Sequence, residues 1–131
     1  MTRGEANITL MNKLGYEIAI PGNHEFDYGM PRFLELTEQA NFPYISCNFN
    51  REGELVFDPY VIKEFDGIKV AFVGITTPET LISSTQKYFM DDAGNYIYGF
   101  FQDKTGEKFY AAIQSAVDAA RAEGAAYVIA M

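Results

Sequence analysis

The run Gly22-Asn23-His24-Glu25-Phe26-Asp27-Tyr28-Gly29 gathers residue types that phosphate and metal chemistry use, and it holds the only histidine of the 131-residue chain. The Asn23 carboxamide offers a neutral, hard oxygen to Mg²⁺, Mn²⁺ or Zn²⁺ when histidines and carboxylates complete the shell. The His24 imidazole can donate to a phosphate oxygen, move a proton or ligate a metal, and Asp27 lies close enough in sequence to orient the ring. Each residue also has a plainer alternative. Asn23 can close an Asx-type turn after Pro21-Gly22, His24 can be a surface histidine beside an acid, and Glu25 an exposed loop carboxylate. Gly22 and Gly29 suit tight backbone turns, while Phe26 and Tyr28 read as packing anchors. One histidine cannot build a two-metal site alone.

The elements around this run follow from periodicity. Ile8, Met11 and Leu14 sit at helical spacing and stop at Gly15, which predicts a helix over Ala6 to Leu14. Tyr16 to Ile20 alternates and then runs apolar before Pro21-Gly22, so the Asn-His run is expected just beyond the end of a strand. Phe33, Leu34, Thr37 and Ala40 share one face of a helix predicted over Pro31 to Asn41, and Tyr44 to Phe49 reads as a second strand. Together they form a strand-helix-strand unit with parallel strands and a right-handed crossover.

Further along, Tyr60 to Phe65 and Ile68 to Ile75 flank Asp66-Gly67, a strong two-residue hairpin signal. The nearly continuous apolar character of the second arm predicts a central strand covered on both faces. Residues 76–104 lack a long periodic signal and are expected to be irregular, with one helical turn over Pro78 to Ile82 and an extended stretch from Tyr96 to Phe101. Phe109, Ala112, Ile113, Ala116, Val117 and Ala120 trace a helical stripe that ends at Gly124, before strand-like Tyr127 to Ala130. In α/β proteins ligand loops lie beyond the carboxyl ends of strands, so more chain is expected after Met131.

Composition narrows the partners. Nine Tyr and eleven Phe among 48% hydrophobic residues indicate a folded core rather than disorder. A net charge of -8 and a pI near 4.5, with scattered Lys and Arg, argue against electrostatic nucleic-acid binding. A small phosphate ester stays compatible, because a divalent cation can supply local positive charge. Cys47 is the sole cysteine, so no intrachain disulfide or CxxC site can form; its neighbours Ile45 and Phe49 suggest a buried thiol. No stretch approaches the roughly 18 apolar residues of a membrane span, and Met1 to Glu5 lacks the apolar core of a signal peptide.

Leu10-Met11-Asn12-Lys13-Leu14-Gly15-Tyr16-Glu17 leading into Gly22 to Gly29 resembles the 5'-nucleotidase family of calcineurin-like metallophosphoesterases. The resemblance continues through Phe42 to Asn48, Tyr60 to Lys63, Gly67 to Thr80 and Ala125 to Ala130, with residues 81–104 the least typical. It implies an α/β fold, part of an αββα sandwich with mixed parallel and antiparallel sheets. It implies a hydrolase in which two divalent metals activate a water for in-line attack on a nucleotide or other small phosphate ester. Mn, Zn, Mg, Fe and Ca are not distinguished. By the same carry-over Asn23 ligates one metal, His24 stabilises the transition state near phosphate and leaving group, and Asp27 holds and polarises His24. Extracellular, periplasmic or cell-wall location is also implied.

The departures shape the expectation. Such enzymes carry an upstream Asp-x-His motif, a Gly-Asp pair supplying a bridging carboxylate, and downstream histidines, none of which occurs here. Residues 1–131 are therefore expected to be part of a catalytic domain without its N-terminal and C-terminal metal-ligand motifs, inactive alone and holding no metal tightly. The alternative is a non-catalytic α/β interaction module that lost the metal site and self-associates through exposed sheet edges. A Ca²⁺ loop fits poorly, since the spacing does not reproduce an EF-hand.

Overall fold

Chemistry at Asn23 to Asp27 needs a rigid support, and the computed structural model, which describes residues 2–131, builds one from two helices and an aromatic core. Helix α1 spans Glu5–Leu14 and stops at Gly15. Helix α2 spans Met30–Gln39, with Pro31 in its first turn, where a missing N–H costs nothing. Arg32 joins the two, pairing with Glu5 at 3.2 Å and Glu35 at 2.8 Å.

Two predicted strands are shorter than their patterns suggest. Residues 16–20 form only an isolated parallel bridge, Ala19 to Tyr44, in which Ala19 N–H donates to Pro43 and Ile45 N–H to Ala19. A strand needs a neighbour along its length, and among the described residues this one has a single point of pairing. The stretch from Tyr44 to Phe49 bends because the Ser46 hydroxyl accepts the Phe49 N–H at 3.1 Å, a local bond that competes with a ladder. Strand β1 (Asn50–Arg51) follows, pairing antiparallel with β2 (Glu54–Leu55).

The hairpin forms as its sequence dictates. Strand β3 (Tyr60–Phe65) and strand β4 (Ile68–Val73) pair antiparallel from Tyr60↔Val73 to Phe65↔Ile68. Asp66 and Gly67 both take positive φ, 50° and 81°, matching the twist of the flanking strands. After β4 come helix α3 (Thr80–Ser83), a 3-10 turn over Gln86–Phe89, and strand β5 (Tyr98–Gly99), which pairs with β1. Asp103 then caps the long helix α4 (Glu107–Ala122), its carboxylate accepting the backbone N–H groups of Lys108, Thr105 and Gly106. Strand β6 (Tyr127–Ala130) returns parallel to β4.

The fold is thus α/β, with one mixed sheet ordered β3-β4-β6 and a small antiparallel sheet ordered β2-β1-β5. Helix α4 covers one face of the mixed sheet: Ala116 meets Cys47 and Val73, and Ala120 meets Ala71 and Ala125. The other face of β4 is only half covered, since Val70 and Phe72 are partly exposed. Its apolar run therefore overstates its burial.

Two features fix the core. Phe26 is fully buried, with the rings of Phe33, Phe49, Phe89 and Phe100 at 5.2, 5.4, 5.0 and 6.1 Å between centroids. Nearby, the buried Asn48 carboxamide uses all its hydrogen-bonding capacity. It donates to the carbonyls of Thr76 (2.6 Å) and Phe100 (3.2 Å) and accepts from Thr76 N–H (2.9 Å) and the Ser46 hydroxyl (3.1 Å). Gly74 allows this stitching, because a Cβ there would lie 2.4 Å from the Ile45 carbonyl oxygen.

Truncating the central ring tests the aromatic support. Phe26→Ala is expected to lower the free energy of unfolding by about 3–5 kcal/mol in urea titrations, through lost burial and a cavity that four rings cannot close.

Candidate functional site

Asn23–Phe26 forms a 3-10 turn, and that geometry sorts the motif by side. A 3-10 helix has three residues per turn, so residues three apart eclipse. His24 and Asp27 share one side, and their side chains meet, Nδ1 to Oδ2 at 3.0 Å. Asn23 and Phe26 share another, with Phe26 buried and Asn23 half-buried. Glu25 turns back, its Oε2 accepting the Gly22 N–H at 2.8 Å. This is half of a capping box, since Gly22 has no side chain to return the bond. The role that sequence left undecided for Glu25 is thus a brace on the loop entry.

The dyad is open to solvent, with the His24 side chain 81% exposed and that of Asp27 50% exposed. A carboxylate only accepts, so the proton in this bond sits on Nδ1 and the Nε2 edge faces outward. The turn's exit is fixed by Gly29, whose φ of 85° and ψ of 161° favour glycine. Beside the dyad lies a cleft of about 340 Å³, lined among others by the exposed residues Arg3, Asn7, His24 and Asp27 and the buried residues Leu36 and Tyr44. A larger concavity of about 570 Å³ is lined by Thr37, residues 42–44 and residues 55–59, but no histidine, lysine or arginine lines it.

The donor set decides what metal these residues can hold. The Asn23 carboxamide makes no hydrogen bond to a described residue, so its oxygen suits a single external ligand bond. Among the described residues no three His, Cys, Asp or Glu side chains cluster to hold a metal ion. The residues present therefore do not by themselves fit a two-metal centre. Cys47 is no candidate ligand: burial pushes its thiol up to about 11. Burial, helped by the charge of Glu25, likewise pushes the Tyr44 hydroxyl up to about 12.

Comparison with known proteins meets this geometry. A 5'-nucleotidase of Vibrio cholerae is 39% identical over 80 residues, which cover 60% of this chain and 14% of that protein. The calcineurin-like phosphoesterase YfkN of Bacillus subtilis superposes with a TM-score of 0.73 at 28% identity, covering 94% of this chain and 36% of that one. The chain is related to the 5'-nucleotidases. The structural likeness to YfkN extends through most of the helices and sheets. The same architecture occurs in the sulfate thiohydrolase SoxB of Thermus thermophilus, with a TM-score of 0.82, 27% identity and coverage of 98% of this chain and 22% of SoxB. No protein-family model matches the chain. The matched part of the chain spans about a seventh of the length of the Vibrio 5'-nucleotidase. No helix among the described residues is long and apolar enough to cross a membrane.

Sequence reasoning named Asn23, His24 and Asp27, and the fold brings them onto one four-residue turn and its cap. It missed Ser84, whose hydroxyl donates to the Asn23 carbonyl at 2.8 Å, because nothing local marks a partner 61 residues away.

Two measurements probe this arrangement. Gly29→Ala is expected to cost about 1–3 kcal/mol by chemical unfolding, because the new Cβ must adopt a glycine conformation while lying 3.3 Å from the Tyr88 ring. Alkaline titration should also destabilise the fold. The Cys47 thiol ionises near 9 when unfolded and only near 11 when folded, so its contribution is complete below pH 9 and is lost as pH rises toward 11. Urea midpoints should fall across that window, and thiol labelling of the folded chain at pH 8 should track unfolding.

Proposed function

We propose that this chain forms one wall of a phosphoesterase site, and that the protein carrying the complete site hydrolyses nucleotides or related small phosphate esters. The observation that carries the reading is the His24–Asp27 bond on a turn whose backbone is fixed from beneath. Asp27 holds the ring through Nδ1. The outward Nε2 edge, when protonated, donates to a phosphoryl or leaving-group oxygen as negative charge grows there. Asp27 steadies the cation that results.

On this reading Asn23 would give one neutral oxygen to a divalent cation whose other ligands the described residues do not supply. Two such cations would supply charge neutralisation and an activated water were the ligand set complete. The relatives' names support the substrate class, and an extracellular, periplasmic or cell-wall location belongs to the same proposal. On this reading the 131 residues alone are expected to be inactive, because one carboxamide oxygen and one imidazole do not complete a two-metal ligand set.

Phosphate release from adenosine monophosphate provides the test. In the protein with its complete metal-ligand set, His24→Ala is expected to lower kcat about 100- to 1,000-fold, the loss of one transition-state donor. Asp27→Asn should fall in the same direction, while the 131-residue chain alone releases no phosphate above background. Full activity of His24→Ala removes the dyad from the mechanism. Metal-dependent turnover by the isolated chain that His24→Ala abolishes refutes the one-wall reading.

A further inference from the structure

Residues 84–89 touch the site turn at three places. The Ser84 hydroxyl donates to the Asn23 carbonyl at 2.8 Å, where the turn begins. The Phe89 ring lies 5.0 Å from that of Phe26 in its middle. The Tyr88 ring closes over Gly29 at its exit, 3.3 Å from where a Cβ would stand. The segment is itself fixed: Ser84 N–H bonds the Thr80 carbonyl at 3.1 Å, and Thr80 N–H bonds Thr77 at 3.0 Å. Upstream, Thr76 is clamped by Asn48 through both its N–H and its carbonyl.

We propose that Ser84 is a positioning residue for the Asn23–His24 peptide, and that Tyr88 and Phe89 complete a cradle under the site turn. The inference rests on the reading of His24 and Asp27 as site residues. Its physical basis is peptide planarity. The carbonyl oxygen of Asn23 lies in one plane with the Cα atoms of both Asn23 and His24, so a bond that holds this oxygen restrains ψ of Asn23 and φ of His24, the torsions that help aim both side chains. Phe89 contributes burial, which any large apolar side chain supplies. Ser84 contributes direction. The Asn23 residue is only half-buried, so water can replace Ser84 as a hydrogen-bond partner without collapse of the core. What water does not replace is the fixed plane.

His24 is the only imidazole in the chain, so its nitrogen resonances report on the dyad without ambiguity. In ¹⁵N-histidine NMR of the 131-residue chain, at a pH where the ring is neutral, Asp27 should hold an excess of the Nδ1–H tautomer. Ser84→Ala is expected to lose that excess, and Ser84→Thr, which keeps the hydroxyl, to retain it. Ala120→Gly in α4, distant from the turn, serves as a control for general destabilisation and should leave the tautomer ratio unchanged. An unaltered ratio in Ser84→Ala, or an equal change in Ala120→Gly, overturns the proposal. If Ser84→Ala does not fold, Ser84→Thr decides, since loss of the excess with the hydroxyl retained is equally fatal. The readout involves no turnover, so a failure of the hydrolase reading and a failure of the cradle remain separate results.

Discussion

The burial of Phe26 is the constraint from which the rest of the site follows. One residue of a four-residue turn is fully enclosed by four rings, and those rings come from α2, from the segment before β1, from the 3-10 turn at Gln86–Phe89 and from the stretch after β5. A turn so short has no cooperative stability of its own, because its few backbone bonds do not offset the entropy of fixing the chain. Phe26 supplies the missing term. Once its ring is placed, three-fold periodicity leaves His24 and Asp27 no choice but to eclipse on the outer side.

A polar counterpart complements the aromatic one. Burying the Asn48 carboxamide is tolerable only because each of its hydrogen-bonding positions is used, and a half-satisfied amide there would cost more than an apolar side chain. The two systems share a residue: Phe100 gives its ring to the Phe26 cluster and its carbonyl to Asn48. The irregular stretch from Thr76 onward is therefore pinned at both ends, and that pinning presents Ser84 and Tyr88 to the site turn.

Local patterns carried much of this in the sequence. The hairpin at Asp66-Gly67, the stripe of α4 and the ends of α1 are written within a few residues, so periodicity and turn chemistry found them. The predicted strands at 16–20 and 44–49 were legible only as apolar runs, since strand identity depends on a partner that a run does not name. Burial of β4 was overstated for the same reason: Val70 and Phe72 look like core until the second face is seen to be half open. At the site, the three-residue spacing of His24 and Asp27 was readable, whereas the 3-10 geometry that makes the spacing work was not. The contacts of Asn48, at separations of 28 and 52 residues, lay beyond any local signal.

Orientation and strength are supplied separately in this site. With the His24 side chain 81% exposed, water competes for its bond to Asp27, and salt screens whatever attraction the pair develops. The pair therefore does not hold itself in place; the backbone beneath it does. In the proposed function electrostatic strength has another source, the exclusion of water from the Nε2 edge when a substrate covers it. The chain's charge of -8 presses the same way. Under the proposed hydrolase reading, a phosphate ester approaching an acidic surface is repelled at long range, so attraction must be concentrated at the reacting atoms rather than spread over the domain. A single histidine on a prearranged turn, beside one neutral oxygen able to meet a cation, is an economical way to begin that concentration.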